Sequence, residues 1–358
     1  MLPRMTTTPP TTPPTDTNIR ITQSADLLAA VPHLLGFHPV DSLVVIGLHG
    51  REPMNIGLTL RVDLPPPEHY DLVADQLALP LAERATGGVV LVIIGGTPDA
   101  STGDPPCRAL MVHLEAAFAE VGIPIVHRLW TSRIAKGIRW RCYDDTDCGG
   151  VLPDPTATPL AAAAVVAGAV TMPNREAVVA TLAPDTPAVL TRRAHLLEAV
   201  SRGSEPGSAS VALGLERLTT VRAAIDSAID EPPILTDDDV LVLMDALADH
   251  RVRDACLVQE DEEHRLGAER LWTALVRATP SPERAEPASL LAFYTYLRGD
   301  GVLTGIALEQ AERADPGHRL TVLLRESLQS GLPPRQLLKA CAGAADRATH
   351  LLIQERPS

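Results

Sequence analysis

The sequence predicts a mixed α/β domain, with a partly parallel sheet and flanking helices, followed by an all-helical domain. Two observations carry this prediction: runs of β-forming residues alternate with helical patterns up to Gly150, and only helical patterns follow. The length of 358 residues agrees, because it exceeds what one ordinary core fills. We assign residues 1–17 to a disordered tail, 18–183 to the α/β domain and 184–358 to the helical domain.

The first elements of the α/β domain follow the tail in a clear order. Thr and Pro dominate residues 1–17, a composition that favours extended, solvated chain. A short strand over Asn18 to Thr22 and a helix over Ala25 to Leu35 are predicted next. The β-rich runs Leu43 to Leu48 and Asn55 to Val62 are separated by a polar stretch, and they therefore predict an antiparallel hairpin.

A parallel βαβ unit is predicted after a helix over Glu68 to Arg84. Val89 to Ile94 is wholly apolar, as expected for a strand that is buried on both faces. A helix near Pro106 to Val121 and a strand over Ile123 to Trp130 complete the unit, so the two strands are parallel. Ile138 to Tyr143 is predicted to return beside the second strand as another hairpin.

The C-terminal half carries helical patterns alone. Thr158 to Val170 is predicted to cover the sheet, and Asn174 to cap the next helix. Pro184 to Pro187 and Ser201 to Ser210 are the candidate linkers, because they are rich in Pro, Gly and Ser. Thr236, followed by three aspartates, predicts a helix start in which the hydroxyl caps backbone donors and the acids favour the helix dipole.

Three consecutive helices near the C-terminus resemble a tetratricopeptide-type helical hairpin. They are predicted over Leu290 to Arg298, Leu303 to Ala314 and Arg319 to Ser330, joined by short turns. Only about one and a half units are visible, so the resemblance is local. We expect Tyr294 and Tyr296 on the first helix to form an interaction face.

Composition limits the classes of function. A net charge of −14 and a pI near 5.2 argue against a whole-protein surface for nucleic acid or anionic lipid. Five scattered cysteines and the lack of a secretory pattern predict a reducing, cytoplasmic location. The most apolar runs, Val89 to Ile94 and Leu160 to Val170, are well short of the roughly 20 residues that span a bilayer. No transmembrane helix and no membrane partner are therefore predicted.

Four segments carry a resemblance to a known family. They are LLAAVPHLLGFHPVDSLVVIGL from Leu27, RWRCYDDTDC from Arg139, VRDACL from Val252 and YLRGDGVLTGIALEQAERADPGHRLTVLL from Tyr296. In this order they resemble the actinobacterial family known as domain of unknown function 4192, over nearly all of the chain after the tail. The family has no assigned activity, so the resemblance implies no particular chemistry.

Two features predict a site for a small anionic ligand. The first is the loop Gly95, Gly96, Thr97, Pro98 and Asp99, which leaves the carboxyl end of a buried strand, where open α/β sheets bind ligands. The second is the basic hairpin from Arg128 to Arg141, in which strand alternation places Arg139 and Arg141 on one face and Trp140 on the other. These arginines are suited to hold phosphate or to contact nucleic acid locally. Pairing with neighbouring acids is the simpler alternative.

A second cluster of polar residues precedes the first hairpin. It comprises His33, His38, Asp41 and Ser42. These residue types occur in nucleophilic triads, but no nucleophile elbow surrounds Ser42. A hydrogen-bonded turn that sets the register of the following strand is the favoured interpretation, and contact with a ligand is the alternative.

Cys142 and Cys148 are the candidate metal ligands. Five residues separate them, more than the two to four typical of half a zinc site, and no second pair follows. His127 could approach from the neighbouring strand, and a tetrahedral zinc site would then still need a fourth ligand from Asp144, Asp145 or Asp147. Zinc binding, a reversible disulfide and inert thiols are therefore all open interpretations.

The leading functional hypothesis is a cytoplasmic binding or scaffold protein whose helical half recognises another protein. The alternative is an enzyme or sensor for a phosphorylated or nucleotide-like small molecule, which would use the Gly95 loop together with Arg139 and Arg141. Local nucleic-acid contact by the basic hairpin is a second alternative, and it predicts an affinity that falls steeply with salt. No motif identifies a catalytic residue or a particular cofactor.

Overall fold

A seven-stranded mixed sheet forms the centre of the N-terminal half. The computed structural model describes residues 5–8, 23–50, 55–82, 87–98, 103–166, 170–203, 211–259 and 261–354. The strands are β1 (Met5–Thr8), β2 (Ser42–His49), β3 (Asn55–Asp63), β4 (Gly88–Ile94), β5 (Ile125–Thr131), β6 (Arg139–Cys142) and β7 (Gly149–Val151). Their order in the sheet is β1-β3-β2-β4-β5-β6-β7. The β4–β5 pair is parallel and the other neighbouring strands are antiparallel.

Five helices accompany the sheet. They are α1 (Ser24–Leu35), α2 (Tyr70–Ala78), α3 (Arg108–Glu120), α4 (Pro159–Val166) and α5 (Arg175–Thr181). The hairpin of β2 and β3, the parallel unit of β4, α3 and β5, and the hairpin of β5 and β6 confirm the predicted mixed sheet. Asn174 accepts a hydrogen bond from the Ala177 N–H, which confirms its predicted capping role.

Three elements differ from the prediction. The helix expected over Glu68 to Arg84 is α2 flanked by single 3-10 turns, because Pro80 cannot continue the helical hydrogen bonding. Met5–Thr8 adds to the sheet edge as β1, so the prediction that residues 1–17 form a disordered tail is wrong for these four residues. β7 was not predicted, since its glycines carry no strand signal. The strand predicted over Asn18 to Thr22 lies outside the described residues.

Side-chain alternation divides the apolar residues between the two faces of the sheet. One face packs against α2 and α3. The buried residues of this cluster include Leu43, Val45, Leu60, Leu91 and Ile93 from the strands and Val73, Leu77, Leu114 and Phe118 from the two helices. Val44 and Val92 point to the opposite face and are equally buried. Leu28 and Val31 of α1 are buried outside the first cluster, on this second side.

The C-terminal half is helical throughout its described residues. Its helices are α6 (Pro187–Gly203), α7 (Val211–Ser227), α8 (Asp237–Leu247), α9 (His250–Ala255), α10 (Glu262–Ala278), α11 (Ala285–Arg298), α12 (Gly301–Ala314), α13 (Arg319–Gln329) and α14 (Pro334–Gln354). The chain divides into one compact unit of Met1–Val178 with Gly299–Val302 and Leu328–Gly331, and a second unit of the remaining residues. Thr236 forms the predicted start of α8 as a capping box with Asp239.

Tyr294 and Tyr296 are core residues of the helical unit. Tyr294 is 4% exposed and Tyr296 is 1% exposed. The Tyr294 hydroxyl donates to the Cys256 carbonyl at 2.6 Å, and the Tyr296 hydroxyl donates to the Leu332 carbonyl at 2.5 Å. The prediction that these tyrosines form an interaction face is therefore wrong. Aromatic rings with satisfied hydroxyls pack well inside a helical core.

Arg193 of α6 connects four acceptors in the helical unit. Its Nη1 donates to the Asp185 carboxylate at 2.7 Å and to the Ala278 carbonyl at 2.9 Å. Its Nε donates to Asp237 at 2.8 Å, and its Nη2 donates to the Leu235 carbonyl at 3.3 Å. The side chain is only 6% exposed. The planar guanidinium thereby joins segments that are far apart in the sequence.

Asp237 is the shared acceptor of two neighbouring arginines. Arg192 donates to it from the exposed side of α6, at 2.5 Å from Nε and 3.0 Å from Nη2. Hydrogen bonds from Arg192, and then from Arg193, lower the pKa of Asp237 to about 2. The carboxylate is therefore ionised throughout the neutral range.

Candidate ligand-binding site

The candidate site lies at the carboxyl ends of the parallel strands β4 and β5. Gly95 follows β4, and its N–H donates to the Thr131 carbonyl at the end of β5 at 3.0 Å. The Gly95 carbonyl accepts the Trp130 indole N–H at 2.8 Å. The neighbouring strand thus fixes the start of the glycine turn at the edge where open α/β sheets bind ligands.

Asp41 approaches the glycine turn from the start of β2. Its backbone has a positive φ of 41°, and its carboxylate Oδ1 accepts the Gly96 N–H at 3.3 Å. A Cβ on Gly95 would lie 2.2 Å from that oxygen, so only glycine fits this close approach. The Gly96 N–H therefore donates to the anionic Asp41 carboxylate. This carboxylate is exposed and remains an acceptor.

Cys107 lies immediately before α3 and has a left-handed backbone, with φ 60° and ψ 30°. Among the described residues, Asp41 and Cys107 are the non-glycine positions with positive φ. A Cβ on Gly96 would lie 2.9 Å from the Pro106 ring, so the glycine turn that contacts Asp41 lies beside the residue before Cys107. Uncommon backbone conformations concentrate at functional sites, and here two of them meet at the expected ligand edge.

The start of α3 lacks the usual stabilising groups. No side chain caps it, no acidic residue lies in its first turn, and its first residue is Arg108. Exposed backbone N–H groups and the positive end of the helix dipole favour a negative charge at this position. A cation in the first helical position is unfavourable, because it adds to the positive end of the helix dipole. The start of α3 is therefore a positive end that an anion would complement.

Three further side chains surround this helix start. Arg108 pairs with Asp104 at 3.1 Å and lies over the Tyr143 ring, with its guanidinium carbon 5.9 Å from the centroid. Arg141 donates to the Gly103 carbonyl at 2.8 Å, and Tyr143 donates to the Pro106 carbonyl at 2.5 Å. We call Asp41, Gly95, Gly96, Cys107, Arg108, Arg141 and Tyr143 the carboxyl-edge site.

The Cys107 thiol is not an activated nucleophile. Burial, followed by the charge of Asp41, raises its pKa above the ordinary value. Reactive cysteines instead have a lowered pKa, because the thiolate is the attacking species. Near neutral pH the site therefore contains a neutral thiol, and its polar groups are better arranged for binding than for cysteine catalysis.

The structure brings several predicted ligand residues together. Asp41, Gly95, Gly96 and Arg141 belong to the carboxyl-edge site. Arg139 is exposed on the same face of β6 as Arg141, with Trp140 on the opposite face, which agrees with the predicted alternation. Thr97 is exposed directly after the turn, and Asp99 lies outside the described residues.

Ser42 is a buried structural residue, unlike its neighbour Asp41, which is exposed at the candidate site. It is fully buried, and its hydroxyl donates to the Val40 carbonyl at 2.7 Å. The same oxygen accepts the Arg61 Nε–H at 2.9 Å. Arg61 also lies over the Phe37 ring at 5.7 Å from its centroid. The prediction of ligand contact at Ser42 is wrong, because a structural arginine uses the hydroxyl.

His33 and His38 make contacts with the segments around Pro155 and Thr171. Nδ1 of His33 lies 2.9 Å from the Thr171 hydroxyl, and its Nε2 lies 2.9 Å from the Pro155 carbonyl. Both ring nitrogens are thus engaged within the fold. Burial, followed by the neighbouring His33, lowers the pKa of His38. These contacts agree with the turn interpretation of this segment.

Two of the five basic residues in the hairpin from Arg128 to Arg141 pair with local acids. Arg128 pairs with Glu115 at 2.8 Å and with Asp144 at 3.0 Å. Lys136 lies 3.9 Å from Asp154. These pairs reduce the positive potential that a phosphate backbone would meet.

Cys142 and Cys148 are free thiols on the β6–β7 hairpin. The described residues contain no group of three or more His, Cys, Asp and Glu side chains suited to a metal ion. A zinc site at these two cysteines therefore lacks a described third ligand.

Sequence reasoning missed Cys107, Arg108 and Tyr143. The available signal was the placement of Cys107 and Arg108 at the predicted start of a helix, after two prolines. A local sequence pattern predicts neither the left-handed backbone at Cys107 nor the contact that Tyr143 makes from a segment far along the chain.

The fold and the site define a class: a mixed α/β unit with a polar site at the carboxyl ends of its parallel strands, in one chain with a helical unit. The model of the family described as Domain of unknown function (DUF4192) matches residues 25–335, and the chain belongs to that family. Neither a curated protein nor a solved structure matches the chain significantly. Among the described residues, no helix combines the length and the apolar character that crossing a bilayer requires.

Proposed function

We propose that the α/β unit binds a small phosphorylated molecule at the carboxyl-edge site and that the protein acts as a sensor or an enzyme for it. The observation that carries this proposal is the start of α3, where the described residues show no side-chain cap and no acid in the first turn, and where the first residue is Arg108. An anionic group there would accept hydrogen bonds from the backbone N–H groups of the first turn, beside the guanidinium of Arg108, which pairs with Asp104 at 3.1 Å.

The surrounding groups support a hydroxyl-bearing phosphate rather than a simple anion. Asp41 already accepts the Gly96 N–H, so the phosphate is placed at the helix start and not at the glycine turn. The exposed Asp41 carboxylate remains an acceptor for ligand hydroxyls. Arg141 adds a second guanidinium near the same loop. A sugar phosphate or a nucleotide carries both kinds of group.

A thermal-shift panel of inorganic phosphate, sugar phosphates and nucleotides tests this proposal. A ligand at a hundredfold excess over its Kd should stabilise the native protein by about 2.7 kcal/mol. Arg108→Ala should weaken binding by about tenfold or more, because it removes a charge-assisted hydrogen bond. The matched control is Arg202→Ala, since Arg202 is also an exposed arginine with an i,i+4 carboxylate partner.

The outcomes separate specific from nonspecific binding. Equal loss of affinity in both arginine variants would indicate a general charge effect and contradict the site. A flat panel, with no ligand raising the melting temperature, would remove the small-molecule proposal altogether. Stabilisation by inorganic phosphate alone would assign an anion site without selectivity for a hydroxyl-bearing ligand.

A second proposed function is partner recognition by the helical unit. Its support is a groove of about 320 Å³ formed by α6, α7 and α8, with partly exposed Val200, Leu213 and Val242 along it. Amphipathic helices of partner proteins bind such grooves through apolar anchors. The tetratricopeptide-like order of α11 to α13 adds to this proposal, because such hairpins serve as recognition scaffolds.

A charge placed in the groove tests partner recognition. Val242→Asp should abolish retention of the partner in a pull-down with the full chain, since a carboxylate is costly to bury in an apolar interface. Val322→Asp is the matched control, because Val322 is exposed to a similar degree on α13. Retention of the same proteins by both variants would exclude the groove.

We also propose a cytoplasmic location. Its support is that all five cysteines are free, as expected in a reducing compartment. Nucleic-acid contact through the hairpin from Arg128 to Arg141 is a weaker proposal, since Arg128 and Lys136 have acidic partners.

A further inference from the structure

The β6–β7 hairpin places two cysteines opposite each other. Its register pairs Arg139 with Val151, Trp140 with Gly150 and Arg141 with Gly149. The next pair in this register is Cys142 with Cys148. The Cys142 N–H donates to the Cys148 carbonyl at 3.0 Å, so the pairing continues to this position.

Opposite residues of an antiparallel ladder project from the same face, with Cβ atoms about 4.5 to 5.5 Å apart. A disulfide needs Cβ atoms about 3.5 to 4.5 Å apart, so a small closure of the hairpin end brings the two sulfurs together. Both thiols are free, and the Cys142 thiol donates to the Asp144 carboxylate at 3.9 Å, within the turn that joins the two strands. The other thiols are separated from this pair in sequence, and Cys256 is wholly buried.

We propose that Cys142 and Cys148 form a reversible disulfide, which makes the end of this hairpin a redox-sensitive modification site. The proposal is independent of the proposed ligand. Arg141 and Tyr143 flank Cys142 in the sequence, so the crosslink would hold the strand that contributes them to the carboxyl-edge site. Disulfides that need such an adjustment are more readily reduced than relaxed ones, which suits a reversible role.

A small-molecule disulfide is a sufficient oxidant. Cys148 is the more accessible of the two residues, whereas Cys142 is buried. The Cys148 thiol loses its proton, and its sulfur attacks the external disulfide, which releases one small thiol and leaves a mixed disulfide. The Cys142 sulfur, after loss of its proton, attacks Cys148 Sγ and expels the second small thiol. The protein loses two protons and two electrons, which reduce the external disulfide to two thiols.

The environment of Cys148 disfavours its thiolate. Burial, followed by Cys142 and then the carboxylates of Asp145 and Asp144, raises the pKa of Cys148. Cys148 therefore has little thiolate available for adventitious chemistry, and closure of the disulfide depends on Cys142 lying opposite it in the hairpin.

Equilibration of the full chain in glutathione and glutathione disulfide mixtures tests the proposal. After an acid quench, free thiols are counted on the unfolded protein and the crosslinked peptides are mapped by mass spectrometry. We expect two of the five thiols to be lost together. The mass should fall by that of two hydrogen atoms, and one peptide should link Cys142 to Cys148. Excess reductant should restore all five thiols.

Two serine variants make the result specific. Cys142→Ser should stop at the mixed disulfide and gain the mass of one glutathione, whereas Cys107→Ser should still form the crosslink. Retention of all five thiols in the wild type would overturn the proposal, and so would a wild-type product that carries glutathione without a crosslink. Both readouts use the wild-type chain, so a poorly folded variant would not obscure them.

Discussion

Arg193→Ala is expected to destabilise the helical unit by about 3 to 5 kcal/mol, the usual cost of removing one partner from a buried ion pair. The substitution leaves the Asp185 and Asp237 carboxylates without their buried donor. The carbonyls of Ala278 and Leu235 lose a donor as well. Chemical denaturation followed by far-UV circular dichroism measures the loss as a lower midpoint.

Two control variants test the reason for this effect. Arg192→Ala removes an exposed donor from the same Asp237, and surface pairs of this kind contribute about 0 to 1 kcal/mol. Arg193→Lys should recover little stability, because an ammonium cannot reproduce the planar geometry that joins four acceptors. Similar losses in Arg192→Ala and Arg193→Ala would show that burial of Arg193 is not the source of its contribution.

Gly95→Ala is expected to lower stability by about 3 kcal/mol and to abolish binding at the carboxyl-edge site, since it combines a left-handed backbone with a steric clash. The φ of Gly95 is +95°, and the added Cβ would lie 2.9 Å from Asp41 Cα and 3.0 Å from Asp41 N. Backbone atoms cannot move aside as a flexible side chain can. Urea unfolding and ligand titration measure the two effects separately.

Gly122→Ala separates the backbone cost from the clash. Gly122 has a φ of +71°, but a Cβ there meets no atom within 4 Å. Only the left-handed penalty of about 1 to 2 kcal/mol should remain, with ligand binding intact. Equal destabilisation by the two substitutions would mean that Asp41 moves freely and that the close approach at Gly95 does not define the site.

Strong periodic signals made much of the fold predictable from the sequence. The apolar run of β4 and the helical pattern after it predicted a parallel pair, which β4 and β5 confirm. Thr236 with its aspartates predicted the start of α8. β7 could not be predicted, because Gly149 and Gly150 have no strand preference. A Cβ on Gly149 would lie 2.9 Å from the Trp140 carbonyl oxygen, so the close pairing with β6 favours glycine at this position.

The candidate site was predictable only in part. The glycine turn after a buried strand indicated the correct edge of the sheet, and Asp41 was among the candidate residues. Cys107 and Tyr143 were missed, because their roles depend on a left-handed backbone and on an approach across 37 residues between Tyr143 and Pro106. The turn favoured for Ser42 agrees with its hydrogen bond to the Val40 carbonyl, but sequence alone does not reveal that Arg61 is buried beside it.

The order of the strands has a consequence for how the protein is made. All seven strands end by Val151, and hairpin partners such as β2 and β3, or β5 and β6, are consecutive in the chain. Contacts between segments close in sequence form quickly, and domains fold from the N-terminus as synthesis proceeds. The sheet can therefore assemble on the ribosome before the last helices are translated, which shortens the time for which its apolar strands are open to other nascent chains.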